Sequence, residues 1–223
     1  MLPNPQIGAY RGARFDWSGI ISSLQYQGHE YFGQWYKHHD PKIHDAVTEP
    51  LEEFRTNDSG LGYEEAKPGD AFVRIGLGTV RKPEEKAYRP YDRCDIADPG
   101  KRRIRRHKDR IEFSHQLRAD DGYAYLNRKT ARLVKGKPEL LTEHSLRNPG
   151  SQVIETTQYS CPVMVRFTRL QSRIAEVNEA VGVRPAREYL AVVCGIGSGL
   201  EAASTRDSVI YSVQGLISIG VPM

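Results

Sequence analysis

The chain has 223 residues, 39% hydrophobic and 27% charged, with 32 lysines and arginines against 28 aspartates and glutamates, a formal net charge of +4. That length suits a single all-β unit better than two domains. No apolar run approaches the roughly 20 residues of a bilayer span, so a soluble globular chain with no membrane partner is expected.

The opening Met1-Leu2-Pro3-Asn4 has no basic or apolar signal pattern, which makes the cytoplasm the default address, although a processed secreted chain reads the same way. Strand signals then recur at short intervals between Gly, Pro, Asn and Asp. The first runs from Gly19 to Tyr26 with a turn at Gln27-Gly28, and the next from Ala71 to Gly78. Between them lies a polar segment, Trp35-Tyr36-Lys37-His38-His39-Asp40-Pro41-Lys42-Ile43-His44, followed by Glu49, Glu52 and Glu53. The five-residue step from His39 to His44, interrupted by Pro41, does not match a helical ligand pair, so no metal site is expected. A loop over a ligand groove fits better, since aromatic rings and imidazoles suit sugar faces and hydroxyls.

The dense basic run Lys101-Arg102-Arg103-Ile104-Arg105-Arg106-His107-Lys108 falls between a turn at Asp98-Pro99-Gly100 and a strand beginning at Arg110. A solvated hairpin is the simpler account. Neither interleaved aromatics nor a reading helix accompanies the charge, so no nucleic-acid partner is expected. Strands then follow over Arg110 to Leu117, Ala124 to Val134 and Glu139 to Leu146, joined by turns at Ala119-Asp120-Asp121-Gly122 and Lys135-Gly136-Lys137-Pro138. Period two places Ile111, Phe113, His115 and Leu117 on one face, and Leu140, Thr142, His144 and Leu146 on another. Each histidine is read first as a core histidine with a hydrogen-bond partner, and second as a contact to sugar hydroxyls.

Beyond Tyr159 the composition changes: from Cys161 to Met223 there is no Lys, His or Trp. Arg169 to Val181 resembles a helix, Ala191 to Gly199 is Gly-rich and apolar, and later strands are not evident. The glycines of Gly195-Ile196-Gly197-Ser198-Gly199 miss the spacing of nucleotide-binding loops. Cys94, Cys161 and Cys194 are odd in number and widely spaced, and are read as free thiols. Residues 1–159 thus read as one strand-rich unit, a sandwich or a barrel, and 160–223 as an atypical tail, helical or poorly ordered.

Three stretches taken together are distinctive: Tyr10-Arg11-Gly12-Ala13-Arg14-Phe15-Asp16-Trp17-Ser18-Gly19, Gly28-His29-Glu30-Tyr31-Phe32, and Gly62-Tyr63-Glu64-Glu65-Ala66-Lys67-Pro68-Gly69. With Leu133 to Leu146 and Arg147-Asn148-Pro149-Gly150, this pattern resembles bacterial members of the galactose mutarotase-like superfamily, relatives of aldose 1-epimerase, over about residues 10–159. The resemblance implies an antiparallel β-sandwich (a supersandwich), incomplete here, with a sugar or sugar derivative as ligand and no cofactor. It also implies an isomerase in intact relatives, with a histidine acid in an Asn-His pair and a glutamate base near the C-terminus. Here Ser160 and Cys161 stand where Asn-His is expected, and no carboxylate of the tail has a matching context, so no catalytic residue is assigned. The alternatives are a non-catalytic carbohydrate-binding module and a truncated or frame-altered product. Carbohydrate-binding candidates are Trp17, Trp35, His39, His44, Arg74, His115 and His144: rings for stacking, imidazoles for hydroxyls, and Arg74 beside the glycines at 76 and 78, where a ligand can approach the backbone.

Overall fold

A computed structural model describes residues 10, 12–21, 23–26, 29–30, 52–56, 59–83, 94–160, 202–204 and 209–218. The described residues are all β, with thirteen strands in antiparallel sheets and no helix. In chain order these are β1 (Gln25–Tyr26), β2 (His29–Glu30), β3 (Glu52–Arg55), β4 (Ala71–Arg74), β5 (Gly78–Arg81), β6 (Ile96–Asp98) and β7 (Lys101–Arg106). They continue with β8 (Arg110–Arg118), β9 (Ala124–Leu133), β10 (Glu139–Arg147), β11 (Ile154–Ser160), β12 (Ala202–Ser204) and β13 (Val209–Ser218). None of the described residues forms a helix long and apolar enough to cross a membrane.

The largest sheet has the order β13-β10-β9-β8-β7. Its central strands form the expected meander, because the two tight connections each place a glycine, Gly122 (φ 92°) and Gly136 (φ 77°), where only a residue without Cβ turns freely. The inner face follows the alternation read from sequence: His115, Leu117, Tyr125, Asn127, Lys129, Thr142, His144 and Leu146 are buried, while Gln116, Arg118, Arg128, Glu143 and Arg147 are exposed. Against that face packs a second layer of smaller sheets, β12-β11-β3 and β4-β5-β6. Leu117, Tyr125 and Leu146 meet Phe54, Leu61, Val73, Ile75 and Ile154 in one buried cluster. Each such side chain contributes about 1.5–3 kcal/mol on leaving water. A satellite cluster joins Tyr63 to Phe72 of β4 and Val80 of β5, with the Tyr63 and Phe72 rings edge to face at 5.1 Å.

Three expectations from the sequence change. The run from Ala71 to Gly78 is not one strand but a hairpin, β4 and β5, which reverses over Ile75 to Leu77. The glycines explain it, since Gly76 (φ 90°) and Gly78 (φ 130°) hold backbone that an L residue resists. A Cβ at Gly78 would also run into the Asp98 carbonyl. Among the described residues of Gly19 to Tyr26, Gln25–Tyr26 alone forms a strand, paired with His29–Glu30. The tail does contribute strands: β12 pairs with β11, and β13 runs along β10 from Glu139↔Ser218 to Arg147↔Val209. The Val-Ile-Tyr-Ser-Val sequence at its start is β-branched and aromatic, which suits a pleated surface. The helical reading of Arg169 to Val181 lies outside the described residues.

Candidate functional site

Alternation along β8, β9 and β10 puts polar side chains into the layer between the sheets, where they must find partners. Registers Phe113↔Lys129 and His144↔Lys129 set Lys129 beside His144. Glu52, at the start of β3, joins both: the Lys129 Nζ donates to Oε2 at 2.9 Å and the His144 Nε2 donates to Oε1 at 3.1 Å. Burial pushes the Glu52 carboxyl up, but the attraction of His144 and Lys129 outweighs it and holds the group down at about 2. Lys129 also donates to the Gly19 carbonyl, 3.3 Å away.

One row along, Asn127 Nδ2 donates to Asp16 Oδ2 at 2.9 Å, while Asp16 Oδ1 accepts the Ser18 N–H at 2.7 Å. Burial raises the Asp16 carboxyl above its ordinary range, opposed by Arg102, whose Nη1 is 4.0 Å away. Arg102 also donates to the Gly76 and Leu77 carbonyls and lies over the Trp17 ring at 5.2 Å. His115 is fully buried. Its Nε2 faces the Pro99 carbonyl at 2.9 Å, which can only accept, so Nε2 carries the proton and Nδ1 receives the Tyr125 hydroxyl at 3.1 Å. Burial, with help from Arg102, drops the His115 imidazole to about 3. In the same layer Arg74 donates to Glu53 at 3.2 Å, and Glu53 also faces Arg14 and Arg55.

Four of the carbohydrate-binding candidates therefore belong to this interior. His115, His144 and Arg74 are buried with protein partners, and Trp17, read as a ring for stacking, is half-buried and donates its indole N–H to the Gly12 carbonyl at 2.9 Å. Arg74 sits on an edge strand but is not exposed, because Glu53 draws it inward. Trp35, His39 and His44 lie outside the described residues. Asn127 Oδ1 and His144 Nδ1 are among the buried polar atoms that have no hydrogen-bond partner among the described residues.

An accessible site lies elsewhere. The loop at 62–70, strands β5 and β6, the end of β8, the 119–123 turn and Gln152 enclose an open cleft of about 750 Å³. Glu65, Asp70, Asp98, Asp120 and Asp121 are among its lining residues, with Arg81, Arg118, Tyr123 and Gln152. The wall is pre-formed. Tyr123 N donates to Asp121 Oδ1 at 3.1 Å, Asp98 Oδ1 accepts the Gly100 N–H at 2.8 Å, and Arg81 donates to the Gly69 carbonyl at 3.2 Å. Gly62 (φ 75°) lets its loop close on this turn, since a Cβ there would stand 3.2 Å from both Asp121 Oδ2 and the Tyr123 ring. Partial burial, then Glu65, Asp121 and Glu155, raise the Tyr123 hydroxyl above its ordinary range, so it remains a donor. Sequence reasoning named the turn at Ala119 to Gly122 but not the cleft, whose walls come from five separated stretches. Among the described residues no group of His, Cys, Asp and Glu is arranged to hold a metal ion.

No protein-family model matches the chain, and neither a curated protein nor a solved structure matches it.

Proposed function

We propose that this is a mutarotase-like carbohydrate-binding protein that takes a neutral sugar or sugar derivative in the cleft beside Tyr123. The observation that carries this reading is the composition of the cleft: five acidic residues, two arginines, a glutamine and one tyrosine are among the residues lining an open volume of about 750 Å³. Sugar hydroxyls both donate and accept, and one face of a pyranose is apolar, so this mixture is complementary to them. Five carboxylates against two guanidiniums favour a neutral ligand over an anion. The antiparallel β architecture and the motifs at residues 10–19, 28–32 and 62–69 support the same class.

The reading is one of binding. Ring opening of an aldose needs a base and an acid on opposite sides of the sugar, and no such pair is assigned in this chain. Titration of the full chain with mono- and oligosaccharides, read by ligand-observed NMR, is expected to show contacts that Tyr123→Ala removes. Polarimetry of fresh aldose solutions in parallel is expected to match the buffer control. No ligand contact with any neutral sugar would overturn the proposal.

A further inference from the structure

The outer face of the five-stranded sheet is electrostatically divided. Cross-strand registers Lys101↔Gln116↔Leu126↔Arg147 and Arg103↔Ser114↔Arg128↔Ser145 form two adjacent rows on that face. The next row, Arg105↔Glu112↔Thr130↔Glu143, carries acids. Those acids are neutralised: Arg110 Nε lies 2.9 Å from Glu112, and Arg132 Nε 3.9 Å from Glu143. In the first two rows Lys101, Arg103, Arg128 and Arg147 are exposed, their side chains make no ion pair or hydrogen bond among the described residues, and no carboxylate stands between them. Strands about 4.8 Å apart place Arg103 and Arg128 about 10 Å from one another, with Lys101 and Arg147 about one pleat further along.

We propose that these two rows form a docking surface for an anionic polysaccharide, a chain of uronic-acid units whose carboxylates meet Lys101, Arg103, Arg128 and Arg147. The chemistry of the face selects this occupant. Guanidiniums match planar carboxylates with two parallel hydrogen bonds, and Ser114, Gln116 and Ser145 between them suit hydroxyls. Stacking of a single-stranded nucleic acid needs aromatic rings, and the described side chains of this face, on β7 to β10, include none. A protein interface is anchored by apolar or aromatic side chains in pockets, and the apolar residues here, Ala124, Leu126 and Leu141, are buried or half-buried. Unpaired arginines also guard an edge strand such as β7 against sheet extension, but Arg128 and Arg147 sit on inner strands, where that role does not apply. The surface shares only its ligand class with the proposed cleft. Its sign is opposite, so a polyuronate lies on the face and not in the cleft.

The test is binding of the full chain to immobilised polygalacturonate, with neutral dextran, oligothymidylate and anionic phospholipid vesicles as parallel probes. Arg103→Glu/Arg128→Glu is expected to weaken polygalacturonate binding about tenfold or more. Arg105→Glu/Arg132→Glu, an equal change in net charge on the neutralised half, is expected to weaken it less than about threefold. Matched unfolding midpoints keep the two variants comparable. Absence of polygalacturonate binding at low salt, equal losses in both variants, or tighter binding of oligothymidylate or vesicles would each overturn the proposal. A chain that holds polygalacturonate but no neutral sugar upholds this surface and removes the cleft reading, and the reverse result does the opposite.

Discussion

Lys129 of β9 and Glu52 of β3 form a buried ion pair, 2.9 Å between Nζ and Oε2, that ties the two sheet layers together across 77 residues of sequence. Both side chains are withdrawn from water, so neither tolerates the loss of the other. Glu52→Ala strands Lys129 and His144 together and is expected to destabilise the protein by about 3–5 kcal/mol, read by urea unfolding at neutral pH. A change within about 1 kcal/mol would mean that water reaches the pair.

Stability falls with acid in two stages. His115 is held at about 3, against an ordinary 6.5, so the unfolded chain binds the extra proton and stability drops by about 1.4 kcal/mol per pH unit as pH falls below 6.5. Glu52, held at about 2 against 4.5, adds a second loss of the same sign below 4.5. Asp16 shifts upward and opposes part of this second loss. Urea midpoints from about pH 7.5 to 4.5 are expected to decline in the wild type and to flatten in His115→Gln. An unchanged slope in the variant would show that His115 is not the group responsible.

Gly78 is fixed by both torsion and space. With φ of 130° and the Asp98 carbonyl where a Cβ would stand, Gly78→Ala is expected to lose about 2 kcal/mol or more. Gly136, at φ 77° but with open space around it, is the matched control and is expected to lose about 1 kcal/mol. Thermal unfolding of the two variants side by side measures the difference, which is the steric part.

Much of this fold is legible in the sequence. The meander from Arg110 to Arg147 announces itself by alternation and by turn residues at fixed places, and the basic run sits in the β7–β8 hairpin that its flanking turn implies. His115 and His144 are core histidines with partners, as their faces suggest. The Ala71 to Gly78 segment misleads because its apolar residues continue through a reversal that two glycines make possible. Lys129 and Asn127 escape notice for a different reason: a lysine on β9 reads as solvent-facing until the register places it opposite His144. The cleft is less legible still, because proximity of Glu65, Asp98, Asp121 and Tyr123 is a property of the closed fold and leaves no local pattern.

Tyr123 supplies the cleft's aromatic ring, and removing it separates recognition from folding because it lies at the edge of the core, only partly buried. Asp121→Asn keeps the size and the turn but removes a charged acceptor. Asp121→Asn is expected to weaken sugar binding about tenfold, equivalent to about 1.4 kcal/mol, and Tyr123→Ala to abolish measurable binding, while unfolding midpoints move little. Calorimetric titration of both variants against wild type reads this directly.

Binding of a neutral sugar in the cleft beside Tyr123 is tested most directly by saturation-transfer NMR on the full chain with a panel of neutral mono- and oligosaccharides. Transfer to at least one sugar is expected, lost in Tyr123→Ala and retained in Arg103→Glu/Arg128→Glu. Transfer to no sugar in the panel, or transfer that survives Tyr123→Ala unchanged, would contradict a sugar site in this cleft.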